Sequence, residues 1–183
     1  LNLDKIGNIT AVELLEEEAE KIKKITYNDD TFNVMNRDFM EFYDQVALKE
    51  KFDLIIGNPP YIRYQYLTEE QRLLQAKVLQ ENGMKPNKLI NAWVYFFVAA
   101  VSLLNENGKI AFVIPADLLQ VAYAQDLRLF LTNNLSKITI IAFEELLFEG
   151  VEQEVVVFIG EKEVGNNTND AMIGMVEYKN LLD

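Results

Sequence analysis

The sequence predicts an α/β fold of three layers, in which helices cover both faces of a mostly parallel sheet. Apolar runs of strand length alternate along the chain with segments of helical periodicity, which is the pattern of repeated strand–helix units. The run at 54–56 is apolar throughout, which is typical of a strand buried in a parallel sheet. The short connection between the runs at 138–143 and 154–160 predicts one antiparallel strand near an edge of the sheet.

Length and composition predict one globular domain over residues 1–183, without thiol or metal chemistry. Half of the residues are hydrophobic and a quarter are charged, as in ordinary globular proteins. The chain contains neither cysteine nor histidine, which excludes disulfides, Ser-His-Asp and Cys-His nucleophile systems, and most zinc sites. The absence of cysteine also fits a reducing cytoplasm.

The net charge of −12 argues against this chain alone holding nucleic acid, because non-specific affinity comes largely from Lys and Arg on phosphates. A DNA partner would therefore need a basic segment outside this chain. The most apolar segment, residues 92–101, is much shorter than the roughly 20 residues of a membrane-spanning helix. We therefore expect no membrane partner.

Two strand–helix units open the chain, and an acidic residue follows or ends each strand. Residues 8–14 form the first predicted strand, and apolar residues at 15, 19, 22 and 25 predict the helix after it. Glu13 ends this strand, where an acid either accepts hydrogen bonds from ribose hydroxyls or only favours the helix dipole. The residues alone leave both readings open. Residues 32–37 form a weaker strand, and Asp38 is a natural N-cap for the next helix.

The run at 54–56 leads through Gly57 into the motif Asn58-Pro59-Pro60-Tyr61. Both prolines fix their φ angles and lack an N–H group, and each disfavours a helical conformation in the residue before it. The motif, called the spur below, should therefore be a stiff extended segment at the carboxyl end of a strand. Open α/β sheets bind their ligands at that end.

The spur carries groups that suit chemistry on a conjugated amine. Such an amine is a poor nucleophile because its lone pair is delocalised. The Asn58 side-chain oxygen and the Pro59 carbonyl could accept hydrogen bonds from its two N–H groups. These hydrogen bonds would favour a tetrahedral nitrogen with a localised lone pair. The ring of Tyr61 could hold a flat substrate by stacking. A rigid turn without catalytic function is the alternative reading of the prolines.

The remaining elements follow from capping signals and apolar runs. Thr68 and Gln71 form a capping box that starts a helix reaching about residue 80. The segment 91–105 is apolar nearly all round, which predicts a buried helix ended by Gly108 as a cap. The further elements expected are a strand at 109–115, a helix from Asp117 to about residue 133, and the strands at 138–143 and 154–160.

The Asn-Pro-Pro-Tyr motif after an apolar strand resembles the catalytic motif of amino-group methyltransferases that use S-adenosylmethionine. The continuation Ile62-Arg63-Tyr64 is most similar to the adenine-specific (N6) DNA methyltransferases of restriction–modification systems. This resemblance covers roughly residues 8–161. It implies a Rossmann-like methyltransferase fold, S-adenosylmethionine as the cofactor, and DNA as the partner, with methylation of the exocyclic amine of a flipped adenine.

The resemblance also implies which residues bind the cofactor. An acid at the place of Glu13 binds the ribose in this family, and an apolar residue at the place of Leu14 packs on the cofactor's adenine. Asp38 and Phe39 match an Asp-Phe pair of this family. In that pair the acid accepts a hydrogen bond from the amine of the cofactor's adenine, and the ring packs on the same base.

For the methyl-accepting base, the resemblance implies that Asn58 and the Pro59 carbonyl hold the amine while Pro60 stiffens the turn. Phe148 matches an aromatic residue that sandwiches the flipped base against Tyr61. Burial in the core is the alternative for a single phenylalanine.

The chain departs from this family's pattern at both ends. No glycine-rich cofactor loop and no first central strand precede Glu13, and no recognisable target-recognition domain follows the last strand. We therefore expect a partial catalytic domain that is inactive alone. An N-terminal segment, or a specificity domain or subunit with a basic surface, would complete it.

Two other classes of function stay open. Methyltransferases that act on a protein glutamine or on a guanine amine in RNA use a similar four-residue motif. A non-catalytic DNA-binding or scaffold module would fit the acidic charge and the missing loop, although the intact motif speaks against it.

Overall fold

A computed structural model describes residues 6–27, 29–88, 90–120, 124–144, 154–163 and 171–180. The chain divides into two compact units, Leu1–Lys49 and Glu50–Asp183. Each unit is a combination of strands and helices, as the sequence predicts. Within the described ranges, no helix has both the length and the apolar character needed to cross a membrane.

The first unit is a parallel strand pair with two helices. Its elements are β1 (Ile9–Glu13), α1 (Glu16–Ile25), β2 (Phe32–Asn36) and α2 (Phe39–Val46). The strands pair in parallel, from Ile9 opposite Phe32 to Glu13 opposite Asn36. Both strands therefore end at the same edge, where Glu13 ends β1 and Asp38 follows β2.

The second unit contains a mixed sheet of five strands. Its elements are β3 (Phe52–Gly57), a 3-10 turn (Tyr64–Tyr66), α3 (Glu69–Glu81), α4 (Ala92–Ser102), β4 (Leu104–Pro115), α5 (Asp117–Gln120), α6 (Gln125–Asn134), β5 (Lys137–Phe143), β6 (Val155–Glu161) and β7 (Met172–Tyr178). The strand order is β3-β4-β6-β5-β7. Among the described strands, only β6 runs antiparallel to its neighbours; the β3–β4 and β5–β7 pairs are parallel.

This topology confirms an α/β fold with one antiparallel strand formed by the run at 154–160. The strand lies in the middle of the five-stranded sheet rather than near its edge. The reason is that β7 pairs with β5 on the far side and extends the sheet by one strand.

The core of the second unit forms around α4. Nine of the eleven residues of this helix are buried, which confirms the predicted buried helix. The Phe97 ring packs edge-on to the Phe158 ring at 4.7 Å between centroids, and lies 5.4 Å from the Phe112 ring. One aromatic side chain of α4 thus contacts both β4 and β6. Such aromatic pairs stabilise a core by about 0.5–1.5 kcal/mol beyond the area that they bury.

The predicted cap at Gly108 is wrong. The helix ends at Ser102, and Gly108 lies inside β4. The pairing of β3 with β4 shifts register between Phe52 and Leu54, so residues of β4 bulge beside Phe52. A Cβ atom on Gly108 would lie 3.0 Å from the Phe52 carbonyl oxygen and 2.8 Å from that of Asn105. Close approach of backbones, rather than a helix end, thus accounts for this glycine.

The predicted burial of residues 54–56 is also wrong for two of the three side chains. Leu54 is 44% exposed and Ile56 is 67% exposed, while Ile55 is half-buried. The register places Leu54 and Ile56 on the same face of the sheet as Lys109 and Ala111 of β4, which are not buried either. In addition, β3 lies at the edge of the sheet and pairs with β4 alone among the described strands. The equally apolar β6 lies between two strands, and its Val155, Val156 and Phe158 are buried.

Two helix predictions differ in detail. The helix expected from Asp117 to about residue 133 appears as α5 and α6, and residues 121–123 between them lie outside the described part. The apolar stripe of α1 is only partly buried, since Ala19 is buried whereas Leu15 and Ile25 are exposed. The capping box of α3 is confirmed, with hydrogen bonds in both directions between Thr68 and Gln71.

Candidate active site

The spur follows β3 directly, at the carboxyl end of that strand. Gly57 is the last residue of β3 and lies opposite Phe112 of β4. A Cβ atom on Gly57 would approach the Phe112 ring to 3.2 Å, which is tighter than an ordinary contact. The glycine therefore lets a buried ring pack against the strand end from which the spur starts.

Tyr61 connects the spur to the neighbouring strand. Its hydroxyl oxygen lies 3.0 Å from the Val113 carbonyl oxygen and 3.1 Å from the Asn58 side-chain oxygen. The hydroxyl has one proton to donate, so the two acceptors share it. Burial raises the pKa of Tyr61 to about 12, so the phenol is a neutral donor at ordinary pH. The ring is fixed at its hydroxyl end, and the Asn58 amide is oriented.

The acceptor groups of the spur have unused hydrogen-bonding capacity. The Asn58 side chain is exposed, and its amide oxygen has a second lone pair beyond the one that faces Tyr61. Pro59 is buried, and its carbonyl accepts no hydrogen bond from the described residues. The joint action of these two oxygens on one amine stays a prediction.

In the first unit, Glu13 has a local partner as well as a free acceptor. One carboxylate oxygen accepts a 2.8 Å hydrogen bond from the Leu15 N–H. The Glu13 backbone carbonyl accepts from the Arg37 N–H and from the Asn36 side-chain amide, each at 3.0 Å. Glu13 is thus fixed at the strand end, and its second carboxylate oxygen has no partner among the described residues.

Asp38 is the N-cap of α2, which confirms the structural reading of this residue. Its Oδ1 accepts a 2.7 Å hydrogen bond from the Met40 N–H. Within the described ranges Oδ2 has no partner, so capping leaves one oxygen able to accept from a ligand. Capping and cofactor binding are therefore compatible.

The apolar residues beside these acids are accessible. Leu14 is 62% exposed, and its backbone carbonyl accepts a 2.9 Å hydrogen bond from the Asn36 side chain. Phe39 is half-buried, with its ring 6.3 Å from the Phe42 ring. Both side chains could contact a flat ligand, and their roles in cofactor binding stay predictions.

Phe148 lies outside the described residues, so its predicted place against the flipped base stays a prediction. In the part of the chain that the structure describes, no group of three or more His, Cys, Asp or Glu side chains could hold a metal ion.

Two features of this region were not found from the sequence. The first is the Val113 carbonyl, which has no sequence signal because every residue carries a backbone carbonyl. The second is a pocket lined by Arg63, Arg72 and Lys88 among others. Local charge could have indicated it, since residues 58–91 contain five Lys or Arg and three Asp or Glu in a chain of net charge −12.

The family model of the Eco57I restriction-modification methylases matches residues 2–148. Among curated proteins, Type II methyltransferase M.HincII of Haemophilus influenzae is 37% identical over 129 residues, which are 68% of this chain and 24% of that protein. The matched segment spans about a quarter of the length of M.HincII and of two further Type II methyltransferases, M.HindII and M.AccI.

Solved structures show the fold. The methyltransferase subunit of a type I restriction-modification system from Streptococcus thermophilus matches with a TM-score of 0.69 at 17% identity, over 91% of this chain and 35% of that chain. A Listeria monocytogenes protein described as a class I S-adenosylmethionine-dependent methyltransferase matches with a TM-score of 0.62 at 13% identity, over 99% of this chain and 62% of that chain. The Rossmann-like methyltransferase fold is therefore confirmed. Since the family model spans most of the sequence, the chain belongs to the Eco57I restriction-modification methylase family.

Proposed function

We propose that the protein transfers a methyl group from S-adenosylmethionine to the exocyclic amine of a flipped adenine in DNA, as part of restriction–modification. The observation that carries this proposal is the spur, where an exposed and oriented Asn58 amide oxygen lies beside a Pro59 carbonyl that accepts no hydrogen bond from the described residues. Membership of the Eco57I restriction-modification methylase family and similarity to Type II methyltransferase M.HincII support it.

The spur would act by changing the geometry of the amine. The two N–H bonds of the adenine amine donate to the Asn58 oxygen and the Pro59 carbonyl, which favours a tetrahedral nitrogen with a localised lone pair. The Tyr61 hydroxyl fixes the amide before the substrate arrives, so little rearrangement accompanies the reaction. When bound, S-adenosylmethionine supplies a methyl group activated by the sulfonium charge, so the site needs no strong base.

The adenine must leave the duplex, because its amine is out of reach while the base is stacked and paired. We propose that the tethered Tyr61 ring receives the base by stacking, with Phe148 on the other face. A ring fixed at one end loses little conformational freedom when a base stacks on it.

We propose that Glu13, Leu14, Asp38 and Phe39 bind the cofactor. The free carboxylate oxygens of Glu13 and Asp38 lie at the same edge of the β1–β2 pair. They would accept hydrogen bonds from the ribose hydroxyls and the adenine amine, while Leu14 and Phe39 would contact the adenine ring. We propose also that both units belong to one catalytic domain.

We propose that most contacts with DNA are made by a basic recognition segment outside residues 1–183, which would belong to another part of the protein or to another subunit. The net charge of −12 supports this, because the phosphate backbone is held largely by Lys and Arg.

The test is transfer of radiolabelled methyl from S-adenosylmethionine by the intact protein to DNA, RNA and protein offered separately. We expect label in DNA that digests to N6-methyladenine. Label in RNA or in a glutamine side chain would keep the amine chemistry and replace the proposed substrate. An absence of label in all three, with cofactor binding and fold intact, would contradict the enzymatic function and favour a binding module.

A further inference from the structure

An open pocket of about 490 Å³ lies in the second unit, just after the spur in the chain. Its lining residues are Arg63, Tyr64, Gln65, Arg72, Lys88 and Asn91. We call it the basic pocket, because three of its six lining residues are cationic and none is acidic. This composition is unusual in a chain that carries 29 Asp and Glu and 17 Lys and Arg.

Two of the three cationic side chains have no ion-pair or hydrogen-bond partner among the described residues. The Arg63 and Lys88 side chains are exposed, and neither forms an ion pair or a hydrogen bond with any described residue. Some surface cations elsewhere in this chain pair with acids, as Lys109 and Lys137 do with Glu161. The basic pocket therefore has positive charge that no described acid neutralises.

Arg72 is held in place by the turn that follows the spur. Its Nε and Nη2 donate to the Tyr64 and Gln65 carbonyl oxygens at 3.3 and 3.0 Å. The guanidinium carbon lies 5.0 Å from the centroid of the Tyr64 ring. A guanidinium has five N–H donors, so these two bonds leave three for a ligand. An arginine fixed in this way can bind an anion without first losing the freedom of its side chain.

The basic pocket lies close to the spur. Arg63 is two residues beyond Tyr61, so their Cα atoms lie at most about 7 Å apart. The Ala92 N–H at the start of α4 donates to the Ile62 carbonyl oxygen at 2.8 Å. Asn91, the N-cap of α4, lines the pocket, and its side chain makes no capping hydrogen bond. The positive end of the α4 dipole therefore adds to the positive charge at the pocket.

We propose that the basic pocket binds a DNA phosphodiester next to the flipped adenine, so that the strand is fixed on the side where the base enters the spur. This inference rests on the proposed function. The argument is chemical: a phosphodiester offers anionic oxygens that match a forked guanidinium and an ammonium group, and a nucleotide whose base lies on the spur places its flanking phosphates within a few ångströms of it. This local contact differs from the wider basic surface proposed outside the chain.

The first test measures how the affinity of the intact protein for DNA depends on salt concentration. Each lost phosphate contact lowers the slope of log affinity against log salt by about 0.9. We expect this reduction for Arg63→Gln and for Lys88→Gln. Lys85→Gln is the matched control, because Lys85 is an exposed cation of the same segment that lines a separate cleft; its slope should be that of the unaltered protein. Arg72 is left unchanged because it donates hydrogen bonds to two backbone carbonyl oxygens, so its replacement would also disturb the turn after the spur.

Unchanged slopes in both pocket variants would overturn the inference, as would an equal reduction in Lys85→Gln. Thermal unfolding of the variants checks that the exposed substitutions leave the fold intact. Since binding is measured without methyl transfer, this result does not depend on whether the proposed reaction occurs.

The second test asks which phosphate is bound. A neutral methylphosphonate replaces, one at a time, each linkage that flanks the target adenine. At one of these linkages we expect affinity to fall roughly 10-fold for the unaltered protein, the size of a lost charged hydrogen bond, and clearly less for Arg63→Gln. Equal losses in both proteins at every flanking linkage would overturn the inference.

A third arm distinguishes DNA from a free phosphate as the ligand. Inorganic phosphate is titrated into the protein without DNA at constant ionic strength. Phosphate binding that is lost in Arg63→Gln, together with unchanged DNA affinity of the same variant, would assign the pocket to a free phosphate and overturn the inference. If the protein methylates DNA but shows no coupling between Arg63 and a flanking linkage, the inference alone fails. If coupling is found but no methyl reaches DNA, the proposed function alone fails.

Discussion

Asn58, after β3, and Asp38, after β2, each offer an acceptor oxygen to a ligand, yet the two side chains are held in different ways. Asp38 accepts a hydrogen bond from the Met40 N–H only two residues away, and it caps α2 by doing so. Asn58 is exposed and faces the Tyr61 hydroxyl, which also reaches the Val113 carbonyl 52 residues further along the chain. No helix depends on Asn58.

In the second unit, the proposed role of Asn58 in the reaction can therefore be tested separately from stability. In the first unit, the proposed role of Asp38 in cofactor binding is coupled to stability. Replacing Asn58 removes a group with a proposed role in the reaction and little that holds the fold. Replacing Asp38 removes both a proposed ligand contact and a helix cap. The predictions below test this comparison, beginning with the largest expected effect.

Asn58→Ala should lower kcat for methyl transfer by roughly 100-fold or more, by analogy with the loss of one preorganised group that stabilises a transition state. The melting temperature and the Kd for S-adenosylmethionine should stay close to those of the unaltered protein, because the side chain is exposed. Single-turnover kinetics, thermal unfolding and calorimetric titration check the three quantities. A comparable loss of cofactor affinity would contradict the role given to Asn58.

Tyr61→Ala should weaken capture of the flipped base by about 1–3 kcal/mol, the usual contribution of one base–aromatic stack. Tyr61→Phe keeps the ring and removes only the hydroxyl, so it should retain most of the base capture while Asn58 loses its orienting contact. Fluorescence of 2-aminopurine at the target position reports the flipped base in both variants. Equal base capture by the Ala variant and the unaltered protein would refute stacking on Tyr61.

Asp38→Ala should lower the free energy of unfolding by about 1 kcal/mol through loss of the N-cap and should also weaken cofactor binding. Asp38→Asn separates the two effects, because asparagine caps helices as well as aspartate does but places an amide donor where the free oxygen was. Denaturant unfolding and cofactor titration of both variants make the comparison. An Asn variant that binds the cofactor normally would leave Asp38 with capping as its sole role.

The smallest expected effect concerns the titration of Tyr61. Its pKa is raised by burial to about 12, whereas in the unfolded chain a tyrosine ionises near pH 10. Between these values the unfolded state releases the proton and the folded state keeps it, so the unfolding free energy falls as the pH rises from about 10 to about 12. Below pH 10 both states keep the proton, so Tyr61 does not make the unfolding free energy depend on pH there.

The difference in unfolding free energy between the unaltered protein and Tyr61→Phe, measured from pH 8 to pH 11.5, isolates this effect from the other tyrosines. A difference that stays constant with pH would contradict the neutral hydroxyl bound to Val113 and Asn58.

Local features of the sequence determined much of this protein. The cap at Asp38 and the capping box of Thr68 and Gln71 were predictable, because these hydrogen bonds join residues two or three positions apart. The place of the spur directly after β3 was predictable too, because the apolar run ends at Gly57 and the two prolines follow. The alternation of strands and helices and the antiparallel β6 also followed from short patterns.

The tertiary structure alone decided what depends on distant partners. Residues 54–56 and 155–158 are equally apolar, yet Ile56 is exposed at a sheet edge and Val156 is buried inside. Gly108 reads as a cap locally and instead lies where two strands approach closely. Strand neighbours, burial and the contact of Tyr61 with Val113 join residues far apart in sequence, so no short pattern specifies them; they are fixed only when the sheet assembles.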